Sequence, residues 1–223
     1  MAELILALDL PDEKQALDLL DQLKPELTWV KVGLELFLRA GPPLVSELKK
    51  RNFKVFLDLK FYDIPPTVAK AIESALELKV DLLTLHCQGG LRMLEEAVAK
   101  RGQSKLLLFG VTVLTSFAAG EIPEINLPPA TFASKLALLA SKAGLNGVVC
   151  SPQEVKKIKE ANPALLCLCP GIRPKDSAAE DQRRVATPKE AVENGADYLV
   201  IGRPILKAAN PRAALLRILD EMN

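Results

Sequence analysis

Apolar residues along this chain follow two alternating rhythms. Short runs rich in Val, Leu and Ile read as strands: "LILALDL" after Glu3, "WVKVG" from Trp29, "KVFLDLK" from Lys54 and "DLLTLHC" from Asp81. Four more follow, "LLLFGVTV" from Leu106, "GVVCS" from Gly147, "LLCLCPG" from Leu165 and "YLVIG" from Tyr198. Between them lie stretches such as "DEKQALDLLDQL", "PLVSELKKR", "PTVAKAIESALEL" and "PRAALLRILDEM", in which apolar residues recur every three or four positions. That spacing predicts helices that cover a sheet with one face.

Eight strands, each followed by a helix, predict an α/β fold of the (β/α)8 TIM-barrel type rather than an open doubly wound sheet. The count alone does not close the barrel. No shift in composition marks a linker, so residues 1–223 are read as a single barrel domain. Two connections are long, Ser116 to Ala130 and Arg173 to Pro188. Loops of that length in a compact domain commonly serve as lids over a site.

Composition narrows the class. Hydrophobic residues make up 49% of the 223, and the formal net charge is +1. A chain of this size buries roughly 70% of its unfolded surface, enough for a substantial core. The charge balance gives no footprint for nucleic acid. No apolar run reaches the ~20 residues of a membrane span, and Glu3 and Asp9 interrupt the first apolar stretch, so neither a signal peptide nor a membrane partner is expected. Cys87, Cys150, Cys167 and Cys169 lack zinc spacing and read as small buried hydrophobes. His86 is the single histidine, which removes a His-rich metal site. The expected location is the reducing cytoplasm.

Against this apolar background the placement of charge stands out. In "VFLDLKFYDIPPTV", Asp58 and Lys60 are two residues apart and share a face of an extended chain, and Asp63 follows at a Pro-rich turn. Burying any one of these groups unpaired is costly. Catalytic residues of such barrels sit at the C-terminal strand ends. Those ends carry Asp9, Lys31, Asp58 with Lys60, His86, Thr115, Arg173 and Gly202 with Arg203. His86 either lines the pocket or merely ends the fourth strand. Lys31, Asp58, Lys60 and Asp63 supply two ammoniums and two carboxylates, which must alternate to coexist in a confined site. Such an array holds an ammonium protonated while it faces a reacting carbon. "PGIRP" and "VIGRPI" lie in the loops after the last two strands, where these barrels commonly hold phosphate: glycine allows close backbone approach and arginine brings a fork of donors.

These stretches resemble the orotidine 5′-phosphate decarboxylase family. "LDLKFYDIPPTV" matches its D-x-K-x-x-D-I-P-x-T signature, and "ALDLP", "VKVGLELF", "LTLHCQGG", "VTVLTS", "CPGIRP" and "DYLVIGRPI" follow in family order across the whole chain. The resemblance implies decarboxylation of orotidine 5′-phosphate to UMP in pyrimidine synthesis, with no metal, flavin, pyridoxal or thiamine cofactor. It implies a catalytic network of Lys31, Asp58 and Lys60, with Lys60 as proton donor. Asp63 would complete the network from the neighbouring subunit of a homodimer, and Thr67 would cross the same interface. Asp9 and Lys31 would contact the ribose and Thr115 the pyrimidine. Arg173, Gln182, Gly202 and Arg203 would lie on the phosphate side.

Three other readings compete. Metal-dependent phosphosugar lyases of the same barrel type share D-x-K-x-x-D but carry an acid on strand two, where this chain has Lys31. A Schiff-base aldolase needs a deprotonated lysine, which flanking carboxylates oppose. A non-catalytic phosphosugar-binding barrel has no use for four charges opposite the phosphate.

Overall fold

The computed structural model describes residues 2–117, 120–121, 125–174 and 184–223. Eight strands pair in chain order into a closed barrel: β1 (Glu3–Ala7), β2 (Trp29–Gly33), β3 (Lys54–Phe61), β4 (Leu82–His86), β5 (Leu107–Val111), β6 (Gly147–Val149), β7 (Leu166–Cys169) and β8 (Tyr198–Ile201). Every neighbouring pair is parallel, and β8 returns to β1 through Leu4 opposite Leu199 and Ile5 opposite Val200. Closure, which strand count left open, comes from this last pairing. It leaves no edge strand.

The helices α1 (Glu13–Leu23), α2 (Leu34–Lys50), α3 (Pro65–Glu77), α4 (Gly90–Arg101), α5 (Pro129–Lys142), α6 (Val155–Ala161), α7 (Pro188–Glu193), α8 (Arg203–Leu206) and α9 (Pro211–Glu221) surround the barrel. Local chemistry starts several of them. Asp12 accepts the Gln15 N–H at 2.9 Å, Thr187 and Glu190 form a reciprocal capping box, and Asn210 accepts the Ala213 N–H at 3.0 Å. The sequence pattern predicted the second helix only over "PLVSELKKR". The structure adds "LELFLRA" before it, with a kink at Gly41 (φ 58°, ψ −155°) joining the two halves. Gly41 adopts the turn conformation, and Pro42 and Pro43 begin the second half, where their missing N–H groups do no harm.

Two apolar layers result. One packs the outer strand faces against the helices, with Leu6, Val30, Val55, Leu83 and Leu108 all buried. The other fills the barrel with Ile5, Trp29, Phe56, Leu82, Phe109, Leu168 and Tyr198. Trp29 and Phe109 each meet the Tyr198 ring edge-on, at centroid distances of 5.6 and 5.8 Å. Gly147 makes room for this plug: a Cβ there would lie 2.5 Å from the Phe109 ring and from the Leu166 carbonyl.

Because side chains alternate along a strand, the inward rows can be followed upward. Ile5 and Ala7 lead to Asp9, Trp29 leads to Lys31, Phe56 to Asp58, and Leu82 to Thr84 and His86. The rows are apolar at the bottom and polar at the top. All four cysteines are free and buried, as small hydrophobes should be. Among the described residues, no helix is long and apolar enough to cross a membrane.

Candidate active site

The C-terminal mouth encloses a cavity of about 330 Å³. Of the residues expected there, Asp9, Lys31, Asp58, Lys60, Thr115, Arg173, Gly202 and Arg203 line it together. Asp63, Thr67 and His86 do not, and Gln182 lies outside the described residues.

The charges alternate along a chain of contacts. Lys31 Nζ lies 3.0 Å from Asp9 Oδ1 and 3.5 Å from Asp58 Oδ2, and Lys60 Nζ lies 2.9 Å from the same Asp58 oxygen. Lys31 and Asp58 are only 9% and 8% exposed, so each needs the other's charge. Burial pushes the Asp58 carboxyl up, but Lys31 and Lys60 outweigh it and hold the group below the usual carboxylate range. Gly33, beside Asp58 in the β2–β3 ladder, leaves space for the ammonium: a Cβ there would sit 3.0 Å from Lys31 Nζ.

β3 departs from regular geometry at Lys60. The β3–β4 register shifts between Leu57 and Phe61, and Lys60 sits at φ 50°, in the left-handed region that side chains disfavour. Sequence reasoning missed the residue underneath this distortion. Thr84, fully buried on β4, donates its hydroxyl to Asp58 Oδ1 at 2.9 Å and accepts the Lys60 N–H at 3.1 Å. Its only signal was an inward-facing hydroxyl in the otherwise apolar run "LLTLH".

Across the cavity, Arg173 is buried at the start of the polar connection. Its backbone N–H pairs with the Ala186 carbonyl at 2.9 Å, and its guanidinium donates to the Ile172 carbonyl at 2.9 Å. Gly202 approaches strand β1 closely, since a Cβ there would lie 3.3 Å from the Ala7 Cβ. Arg203 opens α8, a helix of only four residues, so two guanidiniums rather than a long helix dipole dominate this side. The returning end of the same connection carries Arg184, which pairs with buried Glu154 and donates to the carbonyls of Val113 (3.2 Å) and Leu114 (2.9 Å). That clamp joins the Arg173 connection to the segment bearing Thr115. Neither partner was legible in the sequence as a pair.

Of the two readings for His86, the structure favours the second. It ends β4, its ring lies 5.6 Å from that of Tyr62, and its Nδ1 is buried without a partner among the described residues. Burial, aided by the charge of Lys60, keeps it below the ordinary histidine range. Asp63 and Thr67 are exposed on this chain, and the Asp63 carboxylate accepts the N–H of its neighbour Ile64 at 2.7 Å.

A closed (β/α)8 barrel with an alternating Lys/Asp array facing two arginines defines a class of barrel suited to small anionic molecules. Comparison with known proteins narrows that class. The family described as "Orotidine 5'-phosphate decarboxylase / HUMPS family" matches residues 2–218, and the chain belongs to it. A Pseudomonas fluorescens protein named orotidine 5′-phosphate decarboxylase is 48% identical over 98% of this chain and 97% of its own length. A Pseudomonas putida protein of the same name is 49% identical, over 98% and 96%. The crystal structure of orotidine 5′-phosphate decarboxylase from Lactobacillus acidophilus superposes with a TM-score of 0.87 at 38% identity, covering 100% of both chains.

Proposed function

We propose that residues 1–223 form one barrel domain that converts orotidine 5′-phosphate to UMP and CO2 in pyrimidine synthesis, without a metal or organic cofactor. The observation that carries this reading is the Lys60 ammonium held 2.9 Å from Asp58 at the cavity wall, in a chain whose full-length relatives bear that enzyme's name. The C6–carboxylate bond of the substrate breaks heterolytically and CO2 departs. The electron pair stays on C6 in an in-plane orbital that the pyrimidine ring does not delocalise. Fixed charge must therefore supply the stabilisation. Lys60 faces the developing carbanion and transfers a proton to C6, giving UMP; the amine then regains its proton from water. Lys31 orients Asp58 and, with Asp9, contacts the ribose. Thr115 meets the pyrimidine, and Arg173, Gln182, Gly202 and Arg203 hold the phosphate, whose binding energy helps organise the reacting end.

The metal-dependent lyase reading is disfavoured by Lys31, whose ammonium sits 3.0 and 3.5 Å from Asp9 and Asp58. A cation already occupies the space between the two carboxylates that a metal would need. The proposal includes a second copy of the chain docked beside Lys60, and exposed apolar residues next to a recess support that reading. Leu34 lines a recess of about 150 Å³ with Asp58 and Lys60, and Leu34, Leu38, Tyr62 and Ile64 are 54%, 83%, 61% and 65% exposed. Asp63 of the neighbouring subunit enters that recess in the proposed homodimer, and Thr67 crosses with it. A cytoplasmic location accords with four free thiols. The test is ultraviolet monitoring of purified protein with orotidine 5′-phosphate and excess EDTA. Steady conversion to UMP is expected; no conversion, or conversion restored only by a divalent ion, contradicts the proposal.

A further inference from the structure

We propose that Thr84 is a positioning residue for the Asp58–Lys60 pair: its one hydroxyl fixes both the carboxylate and the left-handed backbone from which the lysine projects. This inference rests on the decarboxylase reading for its kinetic test, but its geometry stands apart from it.

The hydrogen-bond polarity at Thr84 admits one arrangement. A backbone N–H only donates and a carboxylate only accepts, so the hydroxyl must accept from Lys60 and donate to Asp58. The result is a directed chain, Lys60 N–H to Thr84 O–H to Asp58 carboxylate, in which each link polarises the next. Thr84 is fully buried, which makes its hydroxyl hard to replace with solvent.

Both ends of that chain depend on it. The β3–β4 ladder pairs Leu57 with Leu83 and Phe61 with Leu85, and between those pairs the register breaks. In that gap the Lys60 N–H is taken by the Thr84 hydroxyl. At the other end, Asp58 Oδ2 faces Lys31 and Lys60, while Oδ1 accepts from Thr84. Without the hydroxyl, the carboxylate is held only through Oδ2 and is less restrained about χ2, and the Lys60 N–H, at a residue with φ 50°, loses its hydrogen bond.

Valine and serine separate the hydroxyl from the methyl. Thr84→Val keeps the shape and removes both hydrogen bonds; Thr84→Ser keeps both bonds and removes only the methyl. For orotidine 5′-phosphate turnover, Thr84→Val is expected to lower kcat by about tenfold to a hundredfold while KM moves by less than about threefold. Thr84→Ser is expected to stay within about threefold of the parent in kcat. Unchanged kcat in Thr84→Val, a loss confined to KM, or a serine variant as impaired as valine would overturn the inference. If Thr84→Val does not fold, Thr84→Cys replaces it. A kcat between those of serine and the expected valine value supports the proposal, and one equal to serine opposes it. If the parent itself does not decarboxylate this substrate, the functional reading fails alone. Crystal structures of the parent and the foldable variant then decide. A rotated Asp58 carboxylate or a Lys60 φ outside the left-handed region supports the inference; an unmoved pair refutes it.

Discussion

Lys60 Nζ lies 2.9 Å from Asp58 Oδ2, although the two residues are next-but-one neighbours on a strand. Such residues on a regular strand stand roughly 6.6 Å apart at their Cα atoms and project in parallel. Lys60 departs from that geometry at φ 50°, and its ammonium meets the acid. The pair thus sits at a local distortion of β3, with Lys31 supplying the second positive charge at 3.5 Å.

That arrangement makes Asp58 a source of pH-dependent stability. Its folded value lies below the unfolded value near 3.8: burial opposes the shift, and Lys31 and Lys60 drive it. A lowered carboxyl contributes stability that is fully present above the unfolded value and is lost as pH falls through the folded one. Asp58→Asn should therefore be less stable than the parent at neutral pH, by roughly 3 kcal/mol for a broken buried pair. The gap should narrow below about pH 3.8. Urea midpoints across that range check this; a gap that widens on acidification contradicts it.

Arg203 tests the phosphate side. Arg203→Ala should weaken UMP binding by about tenfold to a hundredfold, the worth of charge-assisted hydrogen bonds, while uridine binding changes little. Calorimetric titration of both ligands provides the comparison. Equal losses for the two would place Arg203 outside the phosphate contacts.

The proposed sharing of Asp63 between two subunits predicts complementation. Inactive Lys60→Ala and inactive Asp63→Ala proteins, mixed in equal amounts and allowed to exchange, form half hybrids, each with one intact site of two. Activity should return to about a quarter of the parent level. No recovery, with exchange demonstrated by native mass spectrometry, means that Asp63 acts within its own chain.

The barrel was legible because its strands and helices keep their two periods almost without interruption. Closure was not, since it resides in the pairing of β8 with β1 rather than in any local run. The charged residues at the strand ends were legible for a physical reason: Lys31 and Asp58 interrupt inward rows that are otherwise apolar. Thr84 was concealed because a β-branched residue in "LLTLH" is what a strand is expected to contain. Nothing in "LDLKF" marks a positive φ, since Lys60 is not glycine and the partner of its N–H, Thr84, lies on β4. The first half of α2 was missed because Gly41, Pro42 and Pro43 read locally as a break, whereas they only bend the element. The Arg184–Glu154 clamp joins residues 30 positions apart and leaves no local trace.

The buried thiols yield a further prediction. Burial pushes the Cys87 thiol up to about 12, and contact with Cys150 together with burial raises Cys167. Thiolate, the reactive form, is thus suppressed and shielded. The native protein at about pH 8 should react negligibly with Ellman's reagent, and the unfolded chain should release all four equivalents. A thiol that titrates rapidly without denaturant contradicts this picture.

The most direct test of the account is the turnover of Lys60→Ala. The variant is predicted to fold with an unchanged circular dichroism spectrum and to bind UMP, while kcat for orotidine 5′-phosphate falls by at least about a thousandfold. A folded Lys60→Ala protein that decarboxylates at close to the parent rate would remove the ammonium from the chemistry and contradict the account.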